Sequence, residues 1–177
     1  MHFSEKEGDI RLRILGIDPG TAITGYGLIE TEGAKLHLLD YGCIRTPAHM
    51  PLPERLVMID AAANVLLEQA QAEQVAVEQL FFNRNTTTAF TVAQARGVLV
   101  LAAAKRGLPL AEYTPLQVKQ AIVGYGRAEK QQIQYMVAKM LAMREIPRPD
   151  DAADALAIAI CHAHYYKTRR LRGEERQ

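Results

Sequence analysis

Cysteine is scarce in this chain of 177 residues: Cys43 and Cys161 stand apart in apolar surroundings, with no C-x-x-C spacing. That excludes a disulfide scaffold and a thiolate zinc site, and both residues read as core fillers in a reducing compartment. Also lacking is any uninterrupted apolar run of the roughly 20 residues that cross a bilayer. The polar, acidic start at 1–9 has none of the character of a signal peptide, so a cytoplasmic protein is expected. Charge of one sign is not in excess, because 21 Lys and Arg against 20 Asp and Glu leave a net +1. Overall charge therefore gives no sign of a nucleic-acid partner. Internal repeats and low-complexity segments are absent too. What is present is a chain 49% apolar, long enough for one well-buried domain and too short for two ordinary ones.

The charges are unevenly placed. Between Tyr113 and Arg144 the cations Lys119, Arg127, Lys130, Lys139 and Arg144 face a single acid, Glu129, and the tail adds Lys167, Arg169, Arg170 and Arg172. The tail reads as a solvated, frayed end. Lys119 and Lys130 call for a functional reading.

Short β-prone runs at 12–18, 25–30 and 36–44 are separated by Pro19-Gly20 and Glu32-Gly33, which predicts three antiparallel strands joined by hairpins. Leu52, Leu56, Ile59, Ala63, Leu66 and Leu67 then recur at helical spacing over 51–72. A buried strand at 75–79, a helix over 87–106 and a fifth strand at 108–113 follow. Thr114-Pro115 starts a short helix, Gly124-Tyr125-Gly126 breaks it, a helix resumes over 128–143, and Pro147 and Pro149 precede the last helix. The order predicts an α/β fold, a mixed sheet with helices on its faces. Residues 1–10 read as a flexible extension, 11–167 as the domain and 168–177 as a basic tail.

Four acids sit at the rims of apolar segments. Asp18 ends the first strand, Glu78 ends Val75-Ala76-Val77, and Asp151 and Asp154 open the apolar stretch from Ala152 to Ala163. An unpaired charge at a core edge costs several kcal/mol, on the order of its desolvation penalty, so acids gathered there need cations. Four carboxylates match two divalent metals, which clamp the attacking and leaving oxygens of a phosphodiester displacement. Each acid also has a plainer reading. Asp18 fits an Asx turn at Asp-Pro-Gly, Glu78 could pair with a core arginine, and Asp151 and Asp154 suit a helix N-terminus. Asp150, after Pro149, is the natural N-cap, its side chain turned back onto the helix. Taken together, the four have the layout of the ribonuclease H-like nucleotidyl-transfer fold, with its mixed five-stranded sheet flanked by helices.

Leu15-Gly16-Ile17-Asp18-Pro19-Gly20 followed by Thr24-Gly25-Tyr26-Gly27 closely resembles the start of the RuvC family, the bacterial Holliday-junction resolvases. Gly42-Cys43-Ile44-Arg45-Thr46, Val77-Glu78-Gln79, Gln94-Ala95-Arg96-Gly97-Val98, Gln117-Val118-Lys119-Gln120 and the run Asp151-Ala152-Ala153-Asp154-Ala155-Leu156 follow the same pattern, over nearly everything from Arg13 to about His164.

The resemblance implies a homodimeric endonuclease that resolves four-way DNA junctions by symmetric nicks in recombination and repair, with RuvA and RuvB as branch-migration partners. It implies two Mg²⁺ per subunit, with Mn²⁺ able to substitute, held by Asp18, Glu78, Asp151 and Asp154, and it selects Asp151 over Asp150. Phe81 falls at the family's junction-opening position, Lys119 and Lys130 at DNA-contacting ones, and Phe82 reads equally as core. Residues 87–106 carry apolar side chains around more of a helix than one sheet contact can bury, so this helix is the expected dimer interface.

Two rivals predict other features. An actin- or sugar-kinase-like ATPase needs a second lobe, for which 177 residues leave no room. A catalytically silent junction-binding module would be expected to have lost an acid, and here all four are present.

Overall fold

The computed structural model describes residues 11–79 and 86–173. Three strands come first, β1 (Arg11–Asp18), β2 (Ile23–Glu32) and β3 (Lys35–Arg45), then helix α1 (Leu52–Ala70), strand β4 (Gln74–Glu78), helix α2 (Thr86–Lys105) and strand β5 (Leu110–Tyr113). Helices α3 (Pro115–Val123), α4 (Lys130–Met140) and α5 (Asp150–Leu171) complete the chain. The five strands lie in the order β3-β2-β1-β4-β5. β1, β2 and β3 pair antiparallel, and β4 joins β1 and β5 in parallel, which is the mixed sheet expected. Among the described residues no helix is long and apolar enough to cross a membrane.

Strand period 2 divides the core into two layers. Leu12 and Ile14 of β1 pack in one core with α5, α3 and α4, while Leu15 and Ile17 pack in the other with α1 and α2. Central strands buried on both faces read as continuous apolar runs, as β1 and β4 do. The same alternation puts Gly16 and Asp18 on the α5 face with Leu12 and Ile14. By the same rule Glu78 shares that face with Ala76, which belongs to the α5 core. Helix α5 is buried from Ala152 to Ala163, Asp154 excepted, because it lies across the centre of the sheet.

Several boundaries differ from expectation, and three of them have a clear local reason. Leu108 N–H and Gly107 N–H, with Gly107 at φ 67, bond back to Ala103 and Ala104 and cap α2, so β5 starts at Leu110. Met143 N–H bonds Ala138 C=O around Ala142, φ 51, and closes α4 at Met140. Helix α5 continues to Leu171, so the first residues of the basic tail are helical.

Candidate active site

Close approach builds the site. A Cβ on Gly16 would run into the carbonyl oxygen of Ala155, and one on Gly25 into that of Asp151. Gly25 is the register partner of Asp18 across β1 and β2. The first turn of α5 therefore rests directly on the sheet beside the end of β1. That brings Asp151 and Asp154, three apart on one helix face, to the strand-end carboxylates of Asp18 and Glu78.

The charges of these groups act on one another. The Asp18 carboxyl is pushed up to about 8, first by burial, then by repulsion from Glu78, Asp154 and Asp151, with Lys130 opposing. Glu78 is raised by burial and by Asp154, against Lys130. Burial also raises Asp154, although Lys130 draws it down. Burial pulls the Lys130 ammonium down, but its contacts with Asp154 and Asp150 prevail and hold it above its ordinary value.

Lys130 begins α4, where Gln132 accepts from Glu129 N–H at 3.0 Å. Its Nζ donates to Asp154 Oδ2 at 3.0 Å and lies 3.3 Å from Asp150 Oδ2. Lys119 is placed by α3, whose capping box has Thr114 and Gln117 exchanging side-chain bonds at 2.8 and 3.1 Å. Both lysines, with Glu78 and Asp154, line one cleft of ≈ 240 Å³. Phe81 and Phe82 lie outside the described residues.

The plainer readings of the acids can now be weighed. Thr24, not Asp18, closes the turn after β1, its Oγ1 donating to Gly20 C=O at 2.7 Å. Arg96 donates to the Glu78 carbonyl at 3.2 Å and pairs with Glu112 at 2.6 Å, and among the described residues no ion pair reaches the Glu78 carboxylate. Asp150 is not the N-cap. Pro149 holds that position, and the Asp150 carboxylate faces away from the helix N–H groups, accepting from Arg148 at 2.9 Å and Gln134 at 3.0 Å. Cationic and amide donors outside the helix offer it stronger bonds than its own backbone. Cys161 is core, whereas Cys43 is half-buried and raised by burial and by the nearby Asp151 charge.

Sequence reasoning passed over Gln134, buried and bound to Asp150, and the chain Tyr113–His162–Gln74 behind the site. Tyr113 Oη donates to His162 Nδ1 at 2.8 Å, and Nε2 donates to Gln74 Oε1. His164 is exposed, so neither histidine turns toward the acids.

The donor set suits a hard divalent cation: carboxylate oxygens only, partly buried, mutually repelling, with a lysine drawn in among them. Among the described residues no three His, Cys, Asp or Glu side chains close on a single point. Like charges hold apart, and Asp154 leans to Lys130.

The chain is similar to known proteins over most of its length. A family model described as crossover junction endodeoxyribonuclease RuvC matches residues 14–162. The crossover junction endodeoxyribonuclease RuvC of Desulfitobacterium hafniense is 67% identical over 151 residues, 85% of this chain and 92% of that protein. Its counterpart from Syntrophomonas wolfei is 56% identical over 156 residues, 88% and 91% of the two chains. A solved structure of Thermus thermophilus RuvC in complex with a Holliday junction substrate superposes with a TM-score of 0.82 at 38% identity, covering 89% of this chain and 96% of that one.

Proposed function

The chain belongs to the RuvC family of crossover junction endodeoxyribonucleases, and from that premise we propose that it resolves Holliday junctions by hydrolysing one phosphodiester in each of two strands. What supports the reading is the cleft that Glu78 and Asp154 share with Lys119 and Lys130, with Asp18 and Asp151 near enough for their charges to act on one another.

These four carboxylates would hold two Mg²⁺ per subunit, or Mn²⁺ in their place. When bound, such ions supply a water nucleophile at neutral pH and charge stabilisation for the departing 3′-oxygen, leaving 5′-phosphate and 3′-hydroxyl ends. The chain's own groups do the rest. Lys119 and Lys130 take backbone phosphates, fixing the strand's register over the acids without reading sequence. Lys130 sits between acids and substrate, so a phosphate entering the cleft competes with Asp154 for its ammonium. Glu78 and Asp18, at the ends of adjacent parallel strands, keep the site's position fixed while side chains on α4 and α5 adjust.

Two nicks related by symmetry require two such sites, hence a two-fold homodimer. Helix α2 supports this assignment: Ala95, Leu99, Ala102 and Ala103 are buried in the core with α1 and the sheet, while Phe90 and Leu101 on the same helix remain 66% and 51% exposed. Phe81, just past Glu78, is assigned to stacking on a base at the opened crossover.

The test is cleavage of a four-way junction and a linear duplex of the same sequence, with and without Mg²⁺. Paired nicks only in the junction and only with the ion support the reading. Equal cutting of both substrates, or none with any divalent ion, contradicts it.

A further inference from the structure

Away from the carboxylates, the far half of α5 and the outer side of α3 enclose a second groove, of ≈ 430 Å³, with Gln120, His164, Thr168, Arg169 and Arg172 in its walls. His164, Thr168 and Arg172 recur every four residues and so share one helix face. His164 Nδ1 donates to Ala121 C=O at 3.2 Å, which turns its other ring nitrogen away from that bond. Thr168 Oγ1 donates its one proton to His164 C=O at 2.9 Å, so the arginines and not this hydroxyl are the groove's donors toward an anion.

Lys167, Arg169, Arg170 and Arg172 are concentrated at the end of α5, the pattern of cations that complement a helix C-terminus, and Glu174 and Glu175 follow in the sequence. The groove is also walled by a second element, and that element is shared with the catalytic cleft: Lys119 lines the cleft and its neighbour Gln120 lines the groove.

We propose that this groove is a second phosphate-binding surface that holds the backbone of a junction arm, a reading that rests on the junction-cutting function above. At 1.5 Å per residue, His164 and Arg172 lie about 15 and about 27 Å along α5 from Asp154. That is less than the about 34 Å of one duplex turn, so a single arm entering the cleft presents backbone phosphates to the groove as well. Arginine suits the task, since its planar fork meets phosphate oxygens two at a time.

The experiment measures junction affinity against salt for wild type, Arg169→Gln/Arg172→Gln and Arg172→Gln alone, without divalent ions. The single variant keeps Arg169, whose charge reaches His162 and Tyr113 in the core. The double variant is expected to bind roughly tenfold more weakly at moderate salt and to lower the salt slope by about two, the single variant by about one. Arms cut to about four base pairs and closed by hairpin loops end short of the groove, so on them wild type and variants are expected to coincide. Arg169→Lys/Arg172→Lys is expected to keep the slope. Unchanged affinity and slope with full arms would overturn the proposal and leave the cations to the helix dipole or a protein partner. A wild type that binds no junction would overturn the functional reading, and the groove's role with it.

Discussion

Lys130 Nζ donates to Asp154 Oδ2 at 3.0 Å, so the lysine assigned to phosphate lies against a carboxylate assigned to metal. Cation and lysine therefore compete for one acid. Lys130→Ala is expected to bind Mn²⁺ more tightly, read by calorimetry, while junction cleavage slows and the salt slope of binding drops by about one. Weaker Mn²⁺ binding in the variant would show that Lys130 supports the ligand set instead of opposing it.

His162 gives a pH dependence whose sign can be worked out. Burial, helped by the Arg169 charge, pushes its ring from the ordinary 6.5 down to about 4. Between those values the unfolded chain takes up a proton that the folded one refuses, so this contribution to stability is lost as pH falls from 6.5 toward 4. The loss is at most about 3 kcal/mol. His162→Gln removes it. Urea unfolding at pH 7.5 and pH 4 is expected to show the gap between wild type and variant narrowing at the lower pH, and a constant gap would contradict the assignment.

Gly25 is held by contact, because a methyl group there meets the Asp151 carbonyl. Gly25→Ala is expected to lift the first turn of α5, costing roughly 1–3 kcal/mol of stability and at least tenfold in cleavage. Gly97 in α2 has nothing within 4 Å to meet such a group. Thermal unfolding of Gly97→Ala and Gly25→Ala checks the contrast, and cleavage is compared between Gly25→Ala and wild type, since Gly97 shares the exposed face of α2 with Phe90 and Leu101. Equal stability of the two variants, with full activity of Gly25→Ala, would remove the close-packing argument.

The proposed dimer is assigned to α2. Leu101→Glu puts a charge at a position 51% exposed in one subunit, so the fold is expected to survive while association fails. Sedimentation should show monomers, and a cruciform plasmid should be nicked without being linearised. Wild type that sediments as a monomer yet linearises the plasmid in one binding event would contradict the dimer.

The acids were legible because a charge ending an apolar run is conspicuous wherever it occurs: Asp18, Glu78 and Asp154 could be marked before any contact was known. The mixed sheet followed from hairpin turns and one crossover. What could not be read depends on partners far apart in the chain. Asp150 looks like an N-cap until Gln134 and Arg148 are seen to claim it. The glycines of β1 and β2 read as turn or strand residues, because their reason is a helix some 130 residues later in the sequence. His162 likewise meets Tyr113 and Gln74 only through the fold.

The central claim is that Asp18, Glu78, Asp151 and Asp154, and not Asp150, form the ligand set. Single-turnover cleavage of a four-way junction in Mg²⁺, with junction binding measured beside it, tests this across Asp18→Asn, Glu78→Gln, Asp151→Asn, Asp154→Asn and Asp150→Asn. The account predicts that the first four bind junctions and do not cut, with rates down by at least about a thousandfold, the scale of a lost electrostatic or metal contribution. Asp150→Asn should keep most activity, because its carboxylate bonds Gln134, Arg148 and Lys130 at the rim. An inactive Asp150→Asn beside an active Asp151→Asn would contradict it.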